Sequence, residues 1–308
     1  MGSLLRLGSA WQSDKLKQYA EKVSQSLYSK LDSNELTVTE RIAAAQELVS
    51  LLGSSESAVA DLIEAISPQM PPSVASGVIR TLSGASAGNV GSELIATWPS
   101  LTPALRNDTL TVLLSRPLTT RDLLTAIADG KIAVNDMTLE QRQSLKSHPD
   151  RELRRDAARL LDASGASVNA DRQKVIESYL AATRSEGDPV QGKLLFTKNC
   201  ANCHKHSGEG NEVGPDLTGM AVHPKEELLV HILDPNRSVE GNFRRYSVLT
   251  ADGQLLSGML AAESLSAVEI VNSEGKRQSI SREDIEQITS SNLSVMPEGF
   301  EQQIPLPQ

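Results

Sequence analysis

Cysteine is almost absent from this sequence: 308 residues hold two, Cys200 and Cys203. That excludes a disulfide framework, and whatever these thiols do they do together. Long apolar runs are missing as well, with none near the roughly 20 residues a membrane span needs, and there is no low-complexity tract. With 39% hydrophobic and 22% charged residues, the chain reads as soluble and globular. Its length predicts two or three domains rather than one core. Basic residues are in deficit. The formal charge is -9, and residues 187–308 carry 17 acidic against 10 basic side chains, so the acidity sits in the C-terminal third. Such a field opposes nucleic acid, whose phosphates need Lys and Arg, and favours a basic docking partner. The N-terminus, MGSLLRLGSAWQSDK, lacks the 7–15-residue apolar stretch of an export signal. Arg6 stands where a myristoylation site needs Ser or Thr. The chain is expected to be a mature or excised piece of something larger, with 1–36 as an N-terminal extension.

What is present first is helical periodicity. From about residue 38 to 163 apolar residues return at three- and four-residue spacing: Ile42, Ala45, Leu48 and Leu52, then Leu110, Leu113 and Leu114, then Leu153, Ala157, Leu160 and Leu161. Breaks at Gly53-Ser54, Pro68 to Pro72, Gly84, Pro99, Pro103, Pro117, Gly130 and Pro149 recur every 15–20 residues or so. Helix pairs stacked into a solenoid over 37–186 are the preferred reading, and a non-repetitive bundle is the alternative. Arg151, Arg154 and Arg155 are read as the solvated face of their helix, His148 as a helix-start residue, and Trp11 and Trp98 as packing. One more helix is expected within 164–188, and a new module from 187 to 308.

The pattern then changes. Alternating segments around 246–249, 255–260, 267–271 and 278–280 are separated by Asp252-Gly253 and Glu274-Gly275. Gly tolerates the positive φ of a type I′ hairpin turn, so a β unit of about four strands is predicted at 243–281, followed by a short helix at 282–287.

Chemistry concentrates in Cys200-Ala201-Asn202-Cys203-His204. Two cysteines three residues apart on a helical turn reach both vinyl groups of a haem as thioethers, and the next residue aims its imidazole at the iron. A dithiol redox pair is a weaker reading because no βαβ pattern surrounds the motif. Zinc would need His206, His223 or His231 as supplements, and there is no second cysteine pair. One covalent haem c with its iron is therefore the expected cofactor, with His204 as proximal ligand.

The flanks carry a resemblance. Asp188 to Phe196, with small Gly192 and apolar Leu195 and Phe196, resembles the first helix of class I cytochromes c. It implies a close helix crossing at Gly192. Gly214-Pro215-Asp216 is similar to the segment whose proline carbonyl accepts the proximal imidazole N–H in those proteins, which implies that role for Pro215. On the residues alone, Gly-Pro-Asp also makes an ordinary turn. For the sixth ligand, Met220 follows His204 too closely and Met259 looks like strand packing. Met296, in Ser294-Val295-Met296-Pro297, matches the Met-Pro loop of many class I cytochromes. His223, His231 or an open site are the alternatives.

Taken together, GPDLTGM (214–220), the run 232–260 and MPEGF (296–300) resemble the haem-binding cytochrome domain family of planctomycetes and verrucomicrobia over about 187–303. LLSRP (113–117) and SHPD (147–150) are similar to the HEAT-like segment that precedes such domains. The resemblance implies a mainly α chain, with HEAT-like helical repeats followed by a class I cytochrome c fold carrying a small β insertion. It further implies a periplasmic electron carrier rather than an enzyme, exchanging electrons with a redox partner, a dehydrogenase module outside this chain. Two other functions remain open: a peroxidase-like haem enzyme, for which Arg244 and Arg245 are unplaced, and an interaction scaffold with a secondary haem. Substrate, partner and oligomeric state are not legible.

Overall fold

The computed structural model describes residues 14–163, 169–304 and 306. Trp11 lies outside them. The chain divides near residue 163 into two compact units.

Among the described residues, the first unit carries the helices α1 (Asp14–Asp32), α2 (Val38–Leu52), α3 (Glu56–Glu64), α4 (Pro72–Thr81), α5 (Val90–Thr97), α6 (Pro103–Leu113), α7 (Pro117–Ala128), α8 (Leu139–Lys146) and α9 (Arg151–Ala163). The starts follow from local chemistry. Thr37 and Glu40 form a reciprocal capping box on α2, as do Thr138 and Gln141 on α8, satisfying backbone N–H groups that the helix leaves without partners. Pro72, Pro103 and Pro117 occupy the first helical position of α4, α6 and α7, where a missing N–H costs nothing. These prolines are the breaks in the sequence, and each is a start rather than a gap.

Helices two apart in sequence are neighbours: α2, α4 and α6 contact in series, and so do α3, α5, α7 and α9. This two-layer stacking places Ala45, Leu48, Val78, Leu94, Leu110, Leu113, Leu123, Leu153 and Ala157 in one core. The 1–36 segment, read as an extension, supplies α1, whose Leu27 and Leu31 enter that same core. Trp98 is buried, with the Arg106 guanidinium 4.9 Å from its ring centroid, as the packing reading expects. Arg151, Arg154 and Arg155 are exposed. His148 accepts the Asp150 N–H at 3.1 Å through Nδ1 at the start of α9.

The second unit opens with α10 (Ala170–Tyr179), a 3₁₀ turn at Leu180–Arg184, α11 (Pro189–Asn199), the two-residue strands β1 (Lys205–His206) and β2 (Glu209–Gly210), and α12 (Lys225–Leu233). A five-stranded antiparallel sheet follows, β3 (Arg244–Thr250), β4 (Leu255–Glu263), β5 (Ala267–Val271), β6 (Arg277–Ser281) and β7 (Ile285–Ser294), in the order β6-β5-β4-β3-β7. A four-residue helix, α13 (Phe300–Gln303), comes last.

Two expectations are corrected here. The helix predicted at 282–287 is a 3₁₀ turn at Arg282–Asp284 leading into β7, which pairs with β3. Ahead of residue 187, α10 packs on α12. The hairpins do not use two-residue type I′ turns. Thr250 N–H donates to Gln254 O (3.0 Å) and Gly253 N–H to Thr250 O (2.8 Å), while Asn272 and Lys276 repeat the arrangement around Gly275. Three-residue loops with Gly253 and Gly275 at φ +84° and +77° are type I turns closed by a left-handed glycine.

Candidate functional site

Asp188 caps α11, accepting the Val190 N–H at 2.8 Å and the Gln191 N–H at 3.3 Å. The helix runs until Cys200, whose N–H still bonds Phe196 O at 2.8 Å. The chain then coils once more: Cys203 and His204 N–H groups both donate to Cys200 O, at 3.0 and 2.9 Å. That turn sets the two thiols and the imidazole in a fixed sequence along one short arc. Its far side is held by the return segment, since Val213 and Gly214 N–H groups donate to Cys203 O at 2.9 and 2.7 Å.

The imidazole of His204 lies with Nδ1 at 2.8 Å from Pro215 O, where an N–H at Nδ1 can donate and leave Nε2 as the free lone-pair nitrogen. A ligand histidine needs such a partner to fix its tautomer and orientation. Gly214 makes this approach possible: a Cβ there would stand 2.5 Å from His204 Cε1 and 2.9 Å from Nδ1. Gly210 does the same for the backbone, at φ +99° with a would-be Cβ 2.2 Å from His204 O.

Both cysteines are free and half-buried. Burial pushes both thiols above the ordinary cysteine value, and for Cys200 the neighbouring Cys203 adds to it. They therefore stay protonated at neutral pH, the opposite of the low-pKa pair that dithiol exchange needs. Among the described residues no group of three or more His, Cys, Asp and Glu side chains converges to hold a metal ion. His223 and His231 instead flank Glu227 at 3.6 and 3.9 Å.

The sheet supplies the other wall. Cys203 packs against a cluster of Val213, Met259, Val271 and Val295, so the residue before Met296 shares an apolar core with the cysteine motif. Met259 is buried there as strand packing, and Met220 and Met296 are half-buried. The β5–β6 loop lies directly on the motif. Cys203 Sγ is 3.7 Å from Ser273 O, and a Cβ on Gly275 would meet Asn202 O at 2.8 Å. Sequence reasoning missed this loop, because only the Glu274-Gly275 turn was visible and not what it touches.

Arg244 and Arg245 are tied into the sheet: Arg244 donates to Asn292 Oδ1 at 2.9 Å and Arg245 to Ser294 O at 3.1 Å. The close helix crossing expected at Gly192 is not found among the described residues, since nothing lies within 4 Å of its Cβ position.

The residues present fit a haem. No side chain of α11 is buried, yet Val190 and Leu194, one turn apart, are exposed, as are Val222 and Ile232 at 86% and 44%. Two thiols and an imidazole held on one turn, with the apolar Val213, Met259, Val271 and Val295 packed at Cys203, are the donor set and lining that a covalently bound apolar macrocycle takes.

Comparison with known proteins agrees. Residues 189–247 match the family described as Cytochrome c. The cytochrome c of Stellaria longipes is 50% identical over 36 residues, 11% of this chain and 33% of that protein. Those of Cochliobolus lunatus and Arabidopsis thaliana are each 47% identical over 36 residues, 33% and 32% of their lengths. The chain thus spans about a third of the length of the curated relatives it matches. A cytochrome c domain is present at 189–247, and it implies covalently bound haem c with iron.

Proposed function

We propose that this chain is a one-haem c-type electron carrier in which Cys200 and Cys203 bind the haem as thioethers, His204 Nε2 is the proximal iron ligand and Met296 the sixth. The observation that carries this reading is the contact of His204 Nδ1 with Pro215 O at 2.8 Å, which leaves Nε2 as the nitrogen able to ligate iron. Bound there, the haem iron supplies reversible one-electron chemistry. The chain's own part is to orient and to seal. Pro215 and Gly214 fix the imidazole, the Cys203 carbonyl is occupied by two N–H donors, and Val213, Val271 and Val295 exclude water beside Cys203.

A peroxidase-like site would want a distal acid–base pair. Arg244 and Arg245, the candidates for it, are spent on β7, so electron transfer is favoured. The electron is exchanged with a redox partner, a dehydrogenase module outside this chain. The location is periplasmic, the compartment in which bacteria attach haem covalently. The stacked helices of the first unit are HEAT-like repeats, and the whole belongs with the planctomycete and verrucomicrobial haem-binding domains.

The test is co-expression with a haem-attachment system in an export-competent host. Haem stain surviving a denaturing gel is expected, and is lost in Cys200→Ser/Cys203→Ser. A low-spin spectrum with a sulfur-to-iron charge-transfer band that disappears in Met296→Ala supports the ligand set. A high-spin spectrum in the unmodified chain would favour the enzymatic reading, and absence of covalent haem would refute the proposal.

A further inference from the structure

Helix α10 lies outside the stretch matched to cytochrome c, and its side chains converge on the segment that carries Met296. Arg172 donates through Nη1 and Nη2 to the two carboxylate oxygens of Glu301, both at 2.9 Å, and through Nε to Leu233 O at 2.8 Å, the last carbonyl of α12. The two charged side chains are only 12% and 13% exposed. Tyr179 Oη donates to Glu301 O at 3.0 Å. Three residues past Leu233, Asn236 grips the same segment upstream. Its Oδ1 accepts the Ser294 N–H at 2.8 Å, and its Nδ2 donates to Glu298. One amide thus holds the chain two residues before and two residues after Met296, whose own N–H donates to Ser294 Oγ at 3.1 Å. Arg237, beside Asn236, is fixed in turn by Asp234 at 3.0 Å and by Gln173 of α10 at 2.7 Å.

We infer that Asn236 and Arg172 are positioning residues for Met296, forming a clamp that α10 and the end of α12 close over residues 294–301. This rests on the reading of Met296 as sixth ligand. A thioether is a weak, neutral donor, so its hold on iron depends on its effective concentration at the metal, and that depends on how tightly both ends of its loop are fixed. Neither residue touches the iron, and each acts only through the loop.

The experiment titrates imidazole into the oxidised, haem-loaded full chain and follows loss of the sulfur-to-iron charge-transfer band. Asn236→Ala is expected to bind imidazole about tenfold more tightly than the parent, corresponding to about 1.4 kcal/mol, and Arg172→Gln to shift in the same direction. Asn236→Asp keeps the acceptor for Ser294 but sets a carboxylate against Glu298, and should fall between; it also serves if the alanine variant does not fold. Unchanged imidazole affinity and an intact band in all three, with the band lost in Met296→Ala, would overturn the clamp alone. A band that persists in Met296→Ala would refute the ligand assignment and the clamp with it.

Discussion

At the scale of single residues, the site depends on atoms that are not there. Gly214 has no Cβ, and that gap is where the His204 ring sits. Gly214→Ala should push the imidazole away from Pro215 O, cost about 1–3 kcal/mol in stability by overpacking, and weaken the N–H donation that keeps the ligand electron-rich. The expected result is a more positive reduction potential, read by redox titration, with haem still covalently attached. Glu301 gives a second prediction. Donation from Arg172 holds its carboxyl below the ordinary glutamate range, so its folded value is depressed relative to the unfolded one, about 4.3. Its contribution to stability is complete above that value and is lost as pH falls through the folded value. Denaturant titrations between about pH 6 and pH 3 should show that loss in the parent and a flatter profile in Glu301→Gln.

At the scale of elements, what was legible depended on whether a local pattern survived tertiary irregularity. The cysteine turn and four strands could be read directly, because CxxCH and Asp-Gly are local codes; the proline partner was legible only through the resemblance, since Gly-Pro-Asp alone also makes an ordinary turn. β7 could not. Ile285 and Ile288 are both buried although three residues apart, a helical spacing, and the acids at 283, 284 and 286 reinforced that impression. The cause is an irregularity in the pairing: Thr250 faces Ile285 but Leu249 faces Gln287, so one extra residue restores both isoleucines to the same face. A bulge is invisible to a period-two search. Likewise α10 was visible as a helix but not as part of the second unit, because Arg172 and Glu301 meet across 129 residues. The β5–β6 loop offers the test at this scale. Gly275→Ala meets both a positive φ and the Asn202 carbonyl, which should cost roughly 1–3 kcal/mol and lower the melting temperature of the second unit.

At the scale of the whole molecule, the second unit has cores of its own, and α10 is hydrogen-bonded into it through Arg172 and Tyr179. A fragment beginning at 169 keeps Arg172, Tyr179 and Gln173, whereas one beginning at 187 discards them. The longer haem-loaded fragment should therefore be the more stable to urea, with a difference that shrinks in Arg172→Gln. Equal midpoints would count against α10 as a structural part of the haem unit.

The loop resting on Cys203 also has a consequence in time. Thioether formation needs an accessible sulfur, and the Ser273 carbonyl comes to lie 3.7 Å from Cys203 Sγ only by a contact across 70 residues of chain. Pairings of such separation form slowly. The cysteine motif is thus expected to stand open for a time before the β5–β6 loop reaches it, and that is when the prosthetic group would be loaded most readily. A chain allowed to fold first should accept haem more slowly than one presented unfolded, and shortening that loop should abolish the difference.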